Sequence, residues 1–256
     1  MKDTEIRGVL LDLAGTLYSG SERISGARHC LKELNKRGIP YCFLTNTTTQ
    51  SLASIRAKLD SFGIEVGEEQ ILTPLAAARE QFAKDGFSTA NLMIREEAKV
   101  DLAGIEESET PDVVIMGDLG EGFTYEVMNR AFRQLANGAA FYALARNRSF
   151  EADGELFLDM GAYVEALHYA SLREPLCLGK PSEAFFASAV DLIGVPRENV
   201  LVVGDDLESD VLGAMEQGMT GVLVRTGKFD EGALQKSDRQ PSFVIDSIRD
   251  LPALLP

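Results

Sequence analysis

The stretch Gly8-Val9-Leu10-Leu11-Asp12-Leu13 decides the fold of this chain, and the turn sequence Ala14-Gly15-Thr16 follows it directly. Its residues are apolar almost without interruption, which is typical of a strand buried on both faces of a parallel sheet. A helical spacing of apolar residues comes next and closes at Gly38, before a second apolar run at 40–45 and a second helical pattern at 51–62. This alternation predicts an α/β sheet with right-handed crossovers.

The rest of the chain alternates in the same way and divides into two parts. Near the C-terminus, apolar runs predict strands at 199–203, 220–224 and 243–245, and helical patterns lie at 182–193, at 210–217 and in a last helix ending at Leu255. In the middle, apolar runs predict strands at 90–94, 113–116 and 141–144, and helical patterns lie at 124–137 and 161–171. We therefore predict an α/β protein, with a Rossmann-like parallel-sheet core at 1–75 and 175–256 and an inserted α/β cap domain at 76–174.

Composition narrows the class of protein. The chain has 256 residues, 45% of them hydrophobic, and its 25 Lys and Arg against 40 Asp and Glu give a net charge of −15. The apolar content excludes a disordered chain, and no cluster of Lys and Arg is present to bind nucleic acid. No apolar run reaches the roughly 18 residues of a membrane helix, so we expect no membrane partner. Three scattered cysteines and an N-terminus without a signal-peptide pattern predict a cytoplasmic protein.

Polar residues stand where the first two predicted strands end. Asp12 closes the first strand, and Thr45 and Asn46 close the second. Gly15 would let the backbone turn and approach a phosphate closely, and hydroxyl and N–H groups at 45–46 could hold one. Each motif also has an ordinary structural reading, because an Asp often caps a turn and a Thr often caps a helix.

Two later segments carry further charged residues. Gly179-Lys180-Pro181 precedes a helical pattern and could place an ammonium group against a phosphate, although the sequence is also ordinary in loops. Gly204-Asp205-Asp206 ends a strand, and Asp210 follows. Carboxylates this close repel one another unless a cation neutralises them, and hard oxygen ligands favour Mg²⁺. We therefore prefer a metal site to an acidic surface loop here.

Taken in chain order, these segments resemble the motif set of the haloacid dehalogenase superfamily. The phrases are Asp12-Leu13-Ala14-Gly15-Thr16-Leu17, Phe43-Leu44-Thr45-Asn46-Thr47-Thr48, Gly179-Lys180-Pro181 and Gly204-Asp205-Asp206. The middle segment looks like the inserted cap of the class-IIA phosphatases, in the phrases Val114-Ile115-Met116-Gly117 and Ala131-Phe132-Arg133-Gln134-Leu135. Within that class, the chain is most similar to the branch of the haloacid dehalogenase-like hydrolase domain-containing protein 2 and the phospholysine phosphohistidine inorganic pyrophosphate phosphatase.

The resemblance implies a Mg²⁺-dependent phosphatase of small phosphorylated substrates and a role for each motif residue. The catalytic and phosphate-binding set comprises Asp12 as the nucleophile that forms an aspartyl-phosphate, Lys180, Thr45 and Asn46. The metal set comprises Asp12, Asp205 and the backbone carbonyl of Ala14, supported by Asp206 and Asp210. In the resembling family the cap also mediates homodimers, so a dimer is expected by analogy.

The chain departs from the family pattern at Ala14. Most family phosphatases carry a second Asp there, which protonates the leaving oxygen and then deprotonates the attacking water, and the resembling branch also departs from Asp, often with Ser. A methyl group can do neither, and the loss amounts to about 10²–10⁴-fold for substrates that need the proton. The loss of rate is expected to be smallest for substrates with good leaving groups, which are pyrophosphate, acyl or aryl phosphates and N-phosphoryl amino acids. A slow phosphatase for such good leaving groups is our leading hypothesis.

Two alternatives stay open beside it. A catalytically weak or silent phosphate-binding or regulatory protein would keep the same fold. A phosphonate hydrolase is the other, because phosphonoacetaldehyde hydrolases have Ala at the same position, although they use a cap lysine and neither Lys84 nor Lys99 shows signs of a desolvated site. In the cap, Arg146, Asn147 and Arg148 follow a predicted strand and could reach a substrate anion, although an exposed basic loop is the more ordinary explanation.

Overall fold

The structure, a computed structural model, describes residues 5–152 and 155–256. The chain forms two compact units: the first comprises Met1–Thr45, Arg56–Leu72 and Lys180–Pro256, and the second comprises Asn46–Ile55 and Thr73–Gly179. The boundaries predicted for the inserted domain, at 75/76 and 174/175, stay a prediction. Among the described residues, no helix combines the length and apolar character that crossing a membrane requires.

The first unit is built on a six-stranded parallel sheet. Its strands lie in the order Phe243–Ile245, Thr220–Val224, Val200–Gly204, Gly8–Asp12, Tyr41–Leu44 and Ile71–Leu72. All five residues of Gly8–Asp12 are buried, because this strand has a neighbour on each side. The uninterrupted apolar run at the start of the chain therefore forms the centre of the sheet, and Asp12 lies at the carboxyl end of the central strand.

Helices and short turns connect these strands. The helices are Ala27–Arg37, Glu183–Ile193, Gly213–Glu216 and Glu231–Lys236, and Leu52–Ser61 divides between the two units. Short helical turns lie at Glu68–Gln70, Arg197–Asn199, Leu207–Leu212 and Ile248–Ala253, and a small hairpin pairs Tyr18–Ser19 with Glu22–Arg23. Ser182 accepts a hydrogen bond from the Phe185 N–H at the start of its helix, and Gly194 ends that helix in the left-handed conformation.

The second unit has a parallel sheet of its own. Its strands lie in the order Leu176–Cys177, Ala140–Ala143, Val113–Met116, Thr89–Met93 and Glu106–Glu107. Its helices are Pro74–Lys84, Glu96–Lys99, Tyr125–Ala136 and Met160–Ser171, with shorter turns at Val100–Leu102 and Gly120–Gly122. An antiparallel hairpin pairs Ser149–Ala152 with Glu155–Leu158.

The predicted α/β class with parallel sheets is confirmed. Two details were wrong. The helix expected over 210–217 is instead the wide turn Leu207–Leu212 followed by the short helix Gly213–Glu216, and the Asp206 side chain accepts hydrogen bonds from the first N–H groups of that turn. The last helix is the short turn Ile248–Ala253, which contains Pro252. A proline lacks the N–H that a longer α-helix would need there.

Candidate active site

Asp12 is buried at the carboxyl end of the central strand and is 7% exposed. Its Oδ1 accepts a hydrogen bond from the Lys180 ammonium, with 2.5 Å between Nζ and Oδ1. Its Oδ2 is also buried and accepts no hydrogen bond within the part of the chain that the structure describes. A buried carboxylate oxygen without a donor is costly, and it is available to an incoming electrophile or cation.

Lys180 joins Asp12 to a second carboxylate. The Lys180 Nζ lies 2.6 Å from Asp210 Oδ1, and the lysine itself is 3% exposed. The peptide bond from Lys180 to Pro181 is cis, and Pro181 packs against Gly213, where an added Cβ would come within 2.3 Å of the proline. The ammonium group is thus held between two carboxylates by buried, close-packed surroundings.

Three carboxylates converge at this place. Asp12, Asp205 and Asp210 each offer an oxygen within 4.8 Å of the others, and all three residues are buried. Gly204 permits this approach, because a Cβ there would lie 2.2 Å from Asp210 Oδ2. A set of hard oxygen donors that includes an unpartnered buried oxygen fits Mg²⁺.

The site contains three acidic groups and one ammonium group, all of them buried away from water. Burial raises the pKa of Asp12 and that of Asp205 to about 6, and the pKa of Asp210 to about 7. Burial also disfavours the charged form of Lys180, but the neighbouring Asp12 and Asp210 carboxylates raise the pKa of its ammonium above the ordinary value. One lysine therefore does not neutralise three acidic groups, and a divalent cation would complete the balance.

Asp205 is fixed by a turn that the sequence reasoning did not single out. The Lys228 backbone N–H donates to Asp205 Oδ2 at 2.7 Å, and the Thr226 hydroxyl donates to the Gly15 carbonyl at 2.5 Å. This turn follows strand Thr220–Val224. The other motifs were identified as polar groups just after a predicted strand. The same pattern applies to Thr226 and Lys228 and could have identified this turn.

Two further residues predicted for the site, Thr45 and Asp206, also belong to the first unit. Thr45 is buried directly after strand Tyr41–Leu44, and its N–H donates to the Leu72 carbonyl. Asp206 lies beside the carboxylate cluster: its Oδ1 accepts hydrogen bonds from the N–H groups of Glu208 and Ser209. Asp206 therefore has a helix-capping role, whereas its predicted metal-supporting role stays a prediction.

Ala14 stands in the turn that follows Asp12. Ala14 is exposed, and Gly15 adopts a φ of +86°, which favours glycine. The Gly15 N–H donates to the Tyr18 carbonyl at 2.7 Å. Because a trans peptide directs its N–H and C=O to opposite sides, the Ala14 carbonyl points away from Tyr18. A side chain longer than the Ala14 methyl would have access to solvent.

The residues of the second unit that were predicted to contact a substrate anion differ in their partners and in their exposure. Arg146 forms ion pairs with Glu165 and Glu174, so its charge is already balanced. The Asn147 carbonyl accepts the N–H of Gly161, and Arg148 is exposed.

Asn46, also in the second unit, lies against Gly179, where an added Cβ would be 2.8 Å from its Oδ1. Its predicted contact with a phosphate, like the substrate contacts predicted for 146–148, stays a prediction.

The cap lysines do not favour a phosphonate hydrolase. Lys84 is exposed. Lys99 is held by Glu107 and Glu96, each at 2.8 Å from its Nζ. Partial burial opposes its charge, but these hydrogen bonds raise the pKa of the Lys99 ammonium above its ordinary value. Schiff-base formation requires the uncharged amine, which such an environment disfavours.

Comparisons with known proteins identify the family to which the chain belongs. A family profile described as haloacid dehalogenase-like hydrolase matches residues 9–105, and one described as HAD-hydrolase-like matches 177–251. The haloacid dehalogenase-like hydrolase domain-containing protein 2 of Homo sapiens is 34% identical, over 94% of this chain and 93% of its own length. The phospholysine phosphohistidine inorganic pyrophosphate phosphatase of Mus musculus is 34% identical, over 98% of this chain and 95% of its own length.

A solved structure is similar over the whole chain. The p-nitrophenyl phosphatase from Archaeoglobus fulgidus superposes with a TM-score of 0.91 at 27% identity, covering 98% of this chain and 100% of that one. The resemblance expected from the sequence motifs is thereby confirmed. The chain belongs to the haloacid dehalogenase-like hydrolase family, as a phosphatase of its class-IIA branch.

Proposed function

We propose that this protein is a Mg²⁺-dependent phosphohydrolase that acts through an aspartyl-phosphate on small substrates with good leaving groups. The observation that carries the proposal is the Asp12 carboxylate, buried with one oxygen held by Lys180 and one without a donor in the described structure. Two further carboxylates, Asp205 and Asp210, lie beside it. This arrangement suits phosphoryl transfer, in which positioning and charge neutralisation lower most of the barrier.

Asp12 is the nucleophile in the first step. Its carboxylate oxygen forms a bond to phosphorus, and the bond from phosphorus to the leaving oxygen or nitrogen breaks, with the electron pair going to the leaving group. In the second step, a water oxygen forms a bond to phosphorus and the bond from phosphorus to the Asp12 oxygen breaks, which releases inorganic phosphate, regenerates the Asp12 carboxylate and passes one proton of the water to solvent. Lys180 carries a positive charge beside Asp12 before the reaction, since the neighbouring carboxylates favour its ammonium form.

The remaining groups hold the phosphoryl oxygens and the cation. Thr45 would donate to the phosphoryl oxygens together with Lys180, and the contact of Asn46 with phosphate stays a prediction. Asp12, Asp205 and the Ala14 carbonyl would hold Mg²⁺, supported by Asp206 and Asp210. Mg²⁺ supplies charge neutralisation for the transferring phosphoryl group when it is bound.

Ala14 directs the choice of substrate. With a methyl group at this position, no side chain there can protonate a poor leaving group or activate the second water. Aryl phosphates, acyl phosphates and pyrophosphate expel a stable anion, and a phosphorylated amine can be protonated by solvent beforehand. Two similar proteins, by their names, are phosphatases of p-nitrophenyl phosphate and of phospholysine, phosphohistidine and pyrophosphate, which supports this substrate class.

Ala14 also favours a second candidate function. A protein with this fold that binds phosphate and Mg²⁺ without turnover would serve a regulatory role, because release of the aspartyl-phosphate has no base at position 14. In either case the cytoplasmic location, expected from the cysteines and the N-terminal sequence, and the cap-mediated homodimer, expected from the family resemblance, stay predictions.

The test is phosphate release in the presence of Mg²⁺ from acetyl phosphate, pyrophosphate, phosphohistidine, p-nitrophenyl phosphate and an alkyl phosphate. We expect turnover of the activated compounds and little of the alkyl phosphate. Asp12→Asn and a chelator should each abolish it. The control Asp191→Asn, the same change on an exposed helical residue, should leave it intact.

The outcome separates the two candidates. Turnover that survives Asp12→Asn contradicts the aspartyl-phosphate route. No turnover of any compound, with Mg²⁺ and phosphate still bound in calorimetric titrations, favours the silent binding protein.

A further inference from the structure

We propose that the turn at residues 226–228 is a positioning element for the metal site, which fixes Asp205 so that it offers a single carboxylate oxygen to the cation. The inference rests on the proposed function, because it concerns the Mg²⁺ that the phosphatase would bind. The turn follows strand Thr220–Val224, the neighbour of strand Val200–Gly204 that leads to Asp205.

A backbone hydrogen bond determines which oxygen of Asp205 is engaged. The Lys228 N–H donates to Asp205 Oδ2 at 2.7 Å. Asp205 is 3% exposed, so water does not compete for this bond. A hydrogen bond to an ionised carboxylate is stronger than one between neutral groups, and it holds the carboxylate in one orientation. Oδ2 therefore belongs to the turn, and Oδ1 is the oxygen left for a cation.

Two glycines enclose the same oxygen. Gly15 has a φ of +86° and Gly227 a φ of +62°, and a Cβ on them would lie 1.8 Å and 2.0 Å, respectively, from Asp205 Oδ2. A Cβ on Gly227 would also lie 2.4 Å from the Gly15 Cα. The two backbones are therefore in direct contact with each other and with the carboxylate. Any side chain at either position would displace Asp205 or separate the two loops.

The turn also fixes the loop that carries the backbone ligand. The Thr226 hydroxyl donates to the Gly15 carbonyl at 2.5 Å, and the Gly15 N–H donates to Tyr18. These two bonds hold both peptide groups of Gly15, and one of those peptides contains the Ala14 carbonyl. The turn thus holds Asp205 directly, and it holds the loop that carries Ala14 at the next peptide group, the Gly15 carbonyl. Contacts of this kind to metal ligands typically change affinity by about 10–100-fold when they are removed.

The experiment is a calorimetric titration of Mg²⁺ into the full chain and two pairs of variants. Gly227→Ala places a methyl group against Asp205. Its control is Gly194→Ala, because Gly194 has a nearly equal φ of +65° but no atom within 4 Å of an added Cβ. Both variants place a Cβ at a similar positive φ, and only Gly227→Ala brings it against the carboxylate. We expect at least tenfold weaker Mg²⁺ binding in Gly227→Ala and wild-type binding in Gly194→Ala.

The second pair tests the hydroxyl without a steric change. Thr226→Val removes the donor and should weaken Mg²⁺ binding, whereas Thr226→Ser keeps the donor and should retain the wild-type affinity. This pair decides the question if Gly227→Ala does not fold, as judged by circular dichroism. A merely structural role would show instead as lower melting temperatures with unchanged Mg²⁺ affinity.

The inference and the proposed function fail in different ways. Wild-type Mg²⁺ affinity in both Gly227→Ala and Thr226→Val overturns the positioning role and leaves the proposed function standing. An absence of Mg²⁺ binding in the wild-type chain overturns the metal dependence of the proposed function, and the positioning role with it.

Discussion

Each of the two units of this protein contains a set of paired charged side chains, but the two sets differ in burial. In the first unit, Asp12, Lys180 and Asp210 are 7%, 3% and 1% exposed. In the second unit, the side chains of Arg146 and Glu165 are 37% and 52% exposed. Water screens the second pair and not the first set. A buried set of charges costs several kcal/mol unless it is balanced, whereas a surface pair contributes about 0–1 kcal/mol.

The difference in burial distinguishes a candidate catalytic site from an ordinary ion pair on the protein surface. Asp12 and Arg146 each follow an apolar run in the sequence, so these two positions are alike until burial is known. The buried carboxylates have pKa values raised by burial, and Asp12 keeps an oxygen without a donor in the described residues. Perturbed groups in such surroundings are typical of functional sites. The exposed pair has each of its charges matched by an opposite one.

The largest expected effect comes from removing the buried cation. Lys180→Met leaves Asp12 and Asp210 facing each other without compensation, so we expect unfolding in urea to require about 3–5 kcal/mol less than in the wild type, measured without Mg²⁺ at pH 8. Phosphate release should be lost as well. A loss below 1 kcal/mol would mean that the two carboxylates are already protonated or hydrated, which would remove the contrast between the two units.

The next effect concerns the exposed position beside the nucleophile. Ala14→Asp supplies the missing acid–base group without burying a charge, because Ala14 is exposed. We expect kcat/KM for an alkyl phosphate to rise about 10²-fold or more, with a smaller gain for p-nitrophenyl phosphate. Ala14→Asn has nearly the same shape and cannot exchange the proton, so it should give no gain. Equal rates in the two variants would contradict the acid–base argument.

A smaller effect is expected from pH and Mg²⁺ together. The folded-state pKa values of Asp12, Asp205 and Asp210 are raised by burial to about 6, 6 and 7 from 3.8. The folded chain therefore binds these protons more tightly than the unfolded chain, and the metal-free protein loses stability as the pH rises from about 4 through about 7.

A cation at the site favours the ionised carboxylates, so Mg²⁺ should raise the melting temperature more at pH 8 than at pH 5. Differential scanning fluorimetry with and without Mg²⁺ measures this. Asp205→Asn should lose the effect and the exposed control Asp191→Asn should keep it. An equal shift at both pH values would show that the acidic cluster does not bind the ion.

The sequence was sufficient for the central strands and for much of the buried cluster. Each core strand is a short apolar run whose length and composition are local properties, and the carboxyl ends of parallel strands meet at one edge. The strand pattern therefore places Asp12 and Asp205 at the same edge, whereas the positions of Lys180 and Asp210 beside them were expected from the family resemblance. The structure brings these four within contact or near-contact distance.

Other features depend on contacts that no local pattern contains. Thr226 reaches Gly15 across 211 residues of sequence. The helix Pro74–Lys84 was missed because its small residues give a weak apolar stripe, although Thr73 caps it by accepting the Ala76 N–H. Charge alone also did not distinguish Asp206, which caps a turn, from the neighbouring Asp205 of the buried cluster.

The smallest expected effect comes from the exposed pair. Arg146→Met removes the ion pairs with Glu165 and Glu174 but leaves both carboxylates in water, so unfolding should require at most about 1 kcal/mol less than in the wild type. The Arg146 hydrogen bond holds the pKa of Glu165 below its ordinary value, so this stabilisation is present above pH 4.5 and disappears as the pH falls through the folded-state pKa. Urea unfolding of Arg146→Met and the wild type at pH 7 and pH 3 measures both points. A loss as large as that of Lys180→Met would show that the carboxyl edge of the second unit is as dry as that of the first, and the contrast drawn from burial would fail.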